Sequence, residues 1–314
     1  MDTQIKMKKF SVIIPTKGRS KLLSQTLNAL CKVQYPIDHY EIIVVDNGSK
    51  SSKTKKLVLS IGKQISNVRY VYEKEKGASF ARNKGIEFSG HPYLVFIDDD
   101  ILVGKNYLKA LNIAWNTYPE ATVLAGRVCA VLKNGEALSD YQKKMLEKYS
   151  WCFAHRTDIS SDRELRWGDS FFSANMSVFL NSGKSRLFSE QLGVQLSLGN
   201  QVFGEDTEIS RRMFFEKKKI VLLSSRDAEV QHQVSGIRFK NKYILNRHIL
   251  CGVEQYLMDK LLVKKYKKYR SYYLTNLKTP RGFFSLLFDF NKLAMLSSYT
   301  FATFLLKRKL PLSK

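Results

Sequence analysis

Residues 94–102 read LVFIDDDIL: a short apolar run passes directly into Asp98, Asp99 and Asp100. Three adjacent carboxylates repel one another and are costly to keep ionised together unless a cation or strong hydrogen bonds hold them. The chain around them is basic, with 52 Lys and Arg against 28 Asp and Glu and a formal net charge of +24, so acidity concentrated at a strand end needs a cause. The same form recurs upstream. FSVIIP (10–15), EIIVVD (41–46) and VRYVYE (68–73) are β-branched or aromatic runs, each followed by polar turn residues and a segment with helical spacing. In RSKLLSQTLNALCKV (19–33), Leu23, Leu27 and Leu30 fall on one helical face, whereas ASFARNKGIEF (78–88) places Phe80, Ile86 and Phe88 less regularly. Strand then helix, repeated, predicts an α/β fold with a mostly parallel sheet and helices on both faces. Ligands of such sheets sit beyond the carboxyl ends of the strands, so Asp46 and Asp98 to Asp100 are expected along one edge.

A length of 314 residues with 44% hydrophobic content allows one large domain, or one domain with a substantial extension. Cys31, Cys129, Cys152 and Cys251 are far apart and show no zinc-site spacing, which predicts buried, reduced thiols and a cytoplasmic setting. The opening MDTQIKMKKF is polar and leads into only a short apolar run, unlike a secretory signal. A sequence pI near 9.8 points to an acidic partner without choosing among nucleic acid, anionic lipid and phosphorylated substrate. From Arg238 to Lys314 there are 17 Lys and Arg against 3 Asp and Glu, more than half of the excess charge. We therefore divide the chain into residues 1–236, carrying the site, and 237–314, a basic, aromatic-rich helical extension. No internal repeat or low-complexity linker marks the boundary. Within the extension, FFSLLFDFNKLAMLSSYTFATFLLKRKL (283–310) is long enough to raise the question of a membrane span. Asp289, Asn291 and Lys292 lie inside it and would cost several kcal/mol in lipid. A helix lying on an anionic membrane surface, with Lys307, Arg308 and Lys309 at the headgroups, or a helix packed on the main domain, fits better.

Hard divalent cations such as Mn2+ and Mg2+ take oxygen ligands, commonly one or two carboxylates plus substrate phosphate oxygens. Asp98 and Asp100, two apart in an extended segment, project to one side and can hold such a metal, leaving Asp99 to face a sugar or ribose. Alternatively Asp100 caps the following helix, although capping needs one carboxylate and not three. Asp46 in VVDNGS can accept hydrogen bonds from a base or ribose, or belong to an ordinary turn. Arg19 in IIPTKGR can reach an anion or start a helix. Arg82 can pair bidentately with phosphate or with a surface carboxylate. Asp206 begins a helix in which Glu208 and Arg212, four apart, form an ion pair; its residue type fits a base or a cap. His232 follows another strand-like run, in a setting that fits a metal contact or a structural histidine.

Read in order, VIIPTKGR (12–19), IIVVDNGS (42–49), KGASFARNKGI (76–86), FIDDD (96–100) and GEDTEISRR (204–212) resemble the family 2 glycosyltransferases, whose nucleotide-binding fold is GT-A. The resemblance covers roughly residues 9–235. It implies that Pro15, Thr16, Arg19, Asp46, Gly77, Arg82, Asp98 and Asp99 line the nucleotide-sugar pocket. Asp98, Asp100 and His232 would serve a divalent metal, and Asp206 would be the catalytic base. Asn175 and Met176, in FFSANMSVFL (171–180), together with Glu205, would lie on the acceptor side. The implied reaction is metal-dependent, inverting transfer of one sugar from a nucleoside diphosphate-sugar to a hydroxyl of a carbohydrate or lipid-linked acceptor. Cell-surface polysaccharide or glycolipid synthesis, with peripheral contact to an anionic membrane, is the expected setting. Processive synthases of the family carry a Gln-x-x-Arg-Trp motif after the catalytic Asp; here RELRW (163–167) lacks the Gln and precedes Asp206, which argues against a processive enzyme. A binding protein for nucleic acid or anionic lipid is the rival, and the acidic triplet argues against nucleic acid at the sheet edge. A nucleotidyltransferase would need a glycine-rich phosphate loop, and PTKGRSK has one glycine.

Overall fold

The computed structural model describes residues 6–49, 51–180, 186–193, 203–266 and 296–300. In chain order the elements are β1 (Phe10–Thr16), α1 (Ser20–Leu30), β2 (Tyr40–Asn47), α2 (Lys53–Gly62), β3 (Val68–Glu73), α3 (Ala78–Phe88), β4 (Tyr93–Phe96), β5 (Ile101–Val103) and α4 (Tyr107–Thr117). They continue through β6 (Val123–Ala125), β7 (Val128–Leu132), α5 (Asp140–Lys148), β8 (Arg163–Glu164), β9 (Met176–Phe179), α6 (Glu205–Phe215), β10 (Ile220–Leu222), β11 (Val230–Val234) and α7 (Asn241–Lys265). The main sheet has eight strands in the order β3-β2-β1-β4-β9-β6-β10-β8. Neighbours β3, β2, β1 and β4 run parallel, β9 lies antiparallel between β4 and β6, and β8 is antiparallel to β10. The expected α/β class with a mostly parallel sheet is present, with β9 and β8 making it mixed.

The period of two in the apolar runs separates two cores. Phe10, Val12 and Ile14 of β1, Ile42 and Val44 of β2, and Val95 after Leu94 in β4 join Leu23, Leu27 and Leu30 of α1 and Trp115 of α4. The alternate residues Ile13, Ile43, Val45, Leu94 and Phe96 pack on the other face against Ala81 and Ile86 of α3 and Ile209 of α6. A strand buried on both faces reads as a continuous apolar run, which is why β1 and β2 carry so few polar residues.

A second sheet of three strands, β5-β11-β7, stands beside the first. Here β11 is parallel to β7 and antiparallel to β5, with His232 opposite Ile101. The stretch between β6 and β9 contains β7, α5 and β8. Ser139 opens that helix with a reciprocal capping box to Gln142. Asp98 to Asp100 form a turn between β4 and β5 and not an extended segment, which corrects the geometry expected from their spacing. Asn106, not Asp100, occupies the N-cap position of α4. Among the described residues no helix is long and apolar enough to cross a membrane. Most of 283–310, on which the membrane-surface expectation rests, lies outside the described residues.

Gly85 in α3 faces Ile13 so closely that a Cβ would stand 2.3 Å from its Cγ2. Alanine ordinarily favours a helix over glycine by about 1 kcal/mol. Ile13 is fully buried and has nowhere to retreat. Overpacking costs typically about 1–3 kcal/mol, so Gly85→Ala is expected to lower the urea midpoint despite the better helix former, and an unchanged or raised midpoint would contradict this packing.

Candidate active site

Thr16 ends β1, Asn47 ends β2, and the acidic turn follows β4, so all three reach the same carboxyl edge. There they border a cleft of about 590 Å³. Its other walls come from the start of α3, the segments around Trp151 and Ser173, the start of α6, His232, and the side of α7. Pro15, Thr16, Arg19, Gly77, Arg82, Asp98, Asp100, Glu205, Asp206 and His232 all line it, although they come from five separate parts of the chain.

The three carboxylates have different surroundings. Asp99 is fully buried: Thr16 Oγ1 donates to its Oδ2 at 2.6 Å, Arg19 Nε donates to the same oxygen at 3.1 Å, and Arg19 Nη2 pairs with Oδ1. Burial pushes its carboxyl up to about 7 against the pull of Arg19. Asp99 therefore holds the turn from inside, which differs from its expected place facing a sugar or ribose. Asp98 points to the cleft and accepts from Arg82 Nη2 at 2.8 Å. Burial raises its pKa, but Arg82, Arg19 and His232 outweigh that and hold it below the usual carboxylate value. Asp100 accepts from Arg19 Nη1 at 2.8 Å through Oδ2, while its Oδ1 is buried and accepts no hydrogen bond.

His232 faces that oxygen. The antiparallel pairing of β5 with β11 brings it beside the turn, and Gln233 N donates to Asp100 O at 2.9 Å. His232 Nδ1 donates to Phe153 O at 2.8 Å, so the neutral ring carries its lone pair on Nε2, 3.6 Å from Asp100 Oδ1. Burial lowers the histidine pKa despite the opposing effect of Asp100. Nε2 also accepts from Arg238 Nη1 at 3.4 Å, whereas Asp100 Oδ1 has no donor, and a cation between the two acceptors would relieve their repulsion. Among the described residues no three His, Cys, Asp or Glu side chains form a ready-made metal site. The donor set fits a hard cation completed by substrate oxygens, the usual situation for phosphate-bound metals.

Arg82 connects this acidic turn to α6. Its guanidinium is buried, donates from Nη1 to Glu205 Oε1 at 2.9 Å as well as to Asp98, and lies over the Phe188 ring. Burial opposes its charge, but Asp98 and Glu205 raise its pKa overall. Gly204 precedes α6 at φ 94°, a left-handed conformation that favours glycine, and so puts Glu205 and Asp206 in the first helical turn at the cleft. Asp206 Oδ1 accepts from Thr207 N at 2.8 Å and Oδ2 from Ser173 N at 3.4 Å. Burial and then Glu205 push its carboxyl up to about 7, with Arg82 opposing. Glu205 Oε2 accepts no hydrogen bond. The Glu208–Arg212 pair expected behind it is present at 2.8 Å.

Besides Asp99, three expected site residues face elsewhere. Asp46 gives Oδ1 to Ser49 N and Oδ2 to Tyr70 OH, and the cleft wall at that level is its neighbour Asn47. Asn47 Oδ1 accepts from Gly77 N at 2.7 Å and so fixes the turn before α3. Asn175 is buried with Nδ2 on Arg127 O and Ala228 O and Oδ1 accepting from Tyr107 OH; it ties the two sheets together. Met176 is buried core in β9. Both lie behind Ser173 and Ala174, which do border the cleft.

The far wall went unread in the sequence. Arg247 of α7 lies 4.6 Å over the Phe203 ring and 5.8 Å over Trp151, and donates to Glu254 at 3.4 Å. Glu254 in turn accepts from Phe203 N at 3.0 Å. Arg211 of α6 reaches across to Gln255 at 2.9 Å and Asp259 at 3.7 Å. The first half of the basic extension therefore walls the site. Cys152 and Cys251 also line it, with burial pushing both thiols up to about 12 and leaving them poor nucleophiles.

The fold is shared with proteins of known structure. A Pyrobaculum calidifontis mannosyltransferase in complex with GDP-Man and Mn2+ superposes with TM-score 0.54 at 16% identity, covering 98% of this chain and 77% of that one. Staphylococcus aureus TarS 1–349 in complex with UDP-GlcNAc gives 0.54 at 17% identity, covering 94% and 79%. In sequence, the S. aureus poly(ribitol-phosphate) beta-N-acetylglucosaminyltransferase TarP is 24% identical over 263 residues, 73% of this chain and 78% of the relative. A Streptomyces hygroscopicus validoxylamine A glucosyltransferase is 31% identical over 118 residues, 37% of this chain and 28% of the relative. The chain spans about a third or less of the length of this and other curated relatives with the strongest local matches. Residues 11–183, more than half of the sequence, match the family described as Glycosyl transferase family 2, and the chain belongs to that family.

Proposed function

We propose that this chain transfers a single sugar from a nucleoside diphosphate-sugar to an acceptor hydroxyl, with inversion at the anomeric carbon and with Mn2+ or Mg2+ at the acidic turn. The observation that carries the reading is one buried arginine: Arg82 links the cation-type carboxylate Asp98 to Glu205, next to Asp206, a carboxylate whose pKa is about 7, in one cleft. Sugar transfer with inversion needs negative charge stabilised on one side of the anomeric carbon and a base on the other. The names of the relatives, which describe glucosyl-, mannosyl- and N-acetylglucosaminyltransferases, support the class.

In this reading Asp98, Asp100 and His232 hold the cation. When bound there, a divalent cation supplies positive charge against the departing diphosphate. Pro15, Thr16, Asn47 and Gly77 border the nucleotide end. Arg19 keeps Asp99 and Asp100 in register. Asp206 removes the proton from the acceptor hydroxyl; Ser173 N and Thr207 N fix its orientation, and Glu205 keeps its affinity for a proton high. The far wall of α7 shields the reacting centre from water and receives the acceptor, a carbohydrate or a lipid-linked carbohydrate. Cell-surface polysaccharide or glycolipid synthesis is the setting we favour, because poly(ribitol-phosphate) is named as a substrate of the relatives TarS and TarP.

A base works only when deprotonated. With the Asp206 pKa near 7, kcat/KM should rise about tenfold per pH unit below that value and level off above it, a limb that Asp206→Asn removes. The same variant should cut kcat by about two to four orders of magnitude while still binding donor, measured by nucleotide release and by calorimetry. Unchanged turnover would reduce Asp206 to a helix residue. Replacing Asp98 and Asp100 together by Asn should weaken Mn2+-dependent binding of UDP or GDP by about tenfold or more, the equivalent of about 1.4 kcal/mol. Equal binding by the variant, or equal binding in chelator, would remove the metal from the mechanism.

A further inference from the structure

Four arginines line the cleft among the described residues. Three are engaged by carboxylates: Arg19 by Asp99 and Asp100, Arg82 by Asp98 and Glu205, and Arg247 by Glu254. The fourth, Arg238, forms no ion pair with a carboxylate among the described residues; its Nη1 approaches His232 Nε2 at 3.4 Å and its guanidinium lies 6.0 Å from the Tyr243 ring centre. We infer that Arg238 is a diphosphate-binding residue, which exchanges its contact with His232 for the phosphate oxygens of a bound nucleoside diphosphate.

The charge balance motivates this. Asp98, Asp99, Asp100 and Glu205 carry up to four negative charges, and Arg19, Arg82 and a divalent cation would carry four positive ones, so a departing diphosphate still needs positive charge from the protein. The paired arginines cannot supply it without uncovering buried carboxylates, which is expensive. Arg238 supplies a planar fork of N–H donors, the geometry that suits phosphate oxygens, and leaves no carboxylate behind when it turns.

Its position is fixed from below. Arg238 lies in a 3₁₀ turn, Gly236–Phe239, whose start is held by Ser235 Oγ accepting from Ile237 N. The next residue, Phe239, is buried and stacks on Phe153 with ring centres 4.6 Å apart. Phe153 is also the residue whose carbonyl accepts from His232 Nδ1. One side chain and its own backbone therefore fix both the histidine and the base of the arginine, while the guanidinium remains half-buried at the cleft. His232 Nε2 is the atom assigned above to the cation. When it is taken up that way, Arg238 loses its acceptor and turns to the nearest anion.

This inference rests on the proposed reaction, and the test separates the two. Calorimetry with Mn2+ present would compare UDP, GDP, UMP and GMP on the wild-type chain, Arg238→Ala and Arg238→Lys, with thermal melting as the folding control. Losing a charge-assisted hydrogen bond to phosphate should weaken the better-bound diphosphate about 10- to 100-fold in Arg238→Ala. The matching monophosphate should change by no more than about threefold, and Arg238→Lys should recover part of the loss as a point charge. Diphosphate affinity within twofold of wild type, or equal loss for diphosphate and monophosphate, would overturn the assignment of Arg238 and leave the reaction standing. A wild-type chain that binds neither diphosphate would overturn both.

Discussion

The site depends on how a buried arginine is held. Arg82 lies in α3, is almost wholly inaccessible, and bridges Asp98 after β4 to Glu205 at the start of α6. Removing a guanidinium from water is costly, and a single carboxylate rarely compensates for it. Two do so here, and the arginine in turn helps hold Asp98 below the usual carboxylate value. Breaking the bridge would leave like charges facing one another on both sides of the cleft. The acidic turn and the α6 carboxylates are thus parts of one electrostatic unit, although more than one hundred residues separate them in the chain.

A second constraint comes from the small sheet. Strand β5 begins directly after the acidic turn and pairs antiparallel with β11, which puts His232 across from Ile101 and next to Asp100. Phe153 then ties the histidine to the turn that carries Arg238. The cleft is therefore clamped from the main sheet by Arg19 and Arg82 and from the small sheet by His232. Asn175 joins the sheets beneath it, and Gly126 has no room for a Cβ because Asn175 and Ala228 O are already there.

Helix α7 gives the basic extension a role that charge alone does not convey. Its positive residues include Arg247, which is packed on aromatic rings and paired with Glu254 and so is part of the wall. Solved structures with the same fold hold a nucleotide-sugar at 16 to 17% identity. At that distance the likeness is one of fold, and the chemistry rests on the side chains of the cleft.

The sequence by itself determined the sheet and its functional edge. Apolar runs marked β1, β2 and β4, and they ended in polar residues at one edge because strands and turns are local structures with local signatures. It also marked Asp98, Asp100, Arg82 and Asp206 as the residues to watch, through motif order. What it did not decide was where each side chain points. Asp99 turned inward to Thr16 and Arg19, Asp46 to Tyr70, and Asn175 to carbonyls of the second sheet, because those partners are brought near only by folding. The exposed-looking spacing of the triplet suited an extended strand, but the chain needs a turn there to start β5. Arg238 and Arg247 carried no readable signal, since neither a strand nor a helix period links them to the acidic turn. Tertiary structure alone settled these, because a buried charge goes to whichever partner relieves the cost of its desolvation, and that partner is fixed by packing between elements distant in sequence.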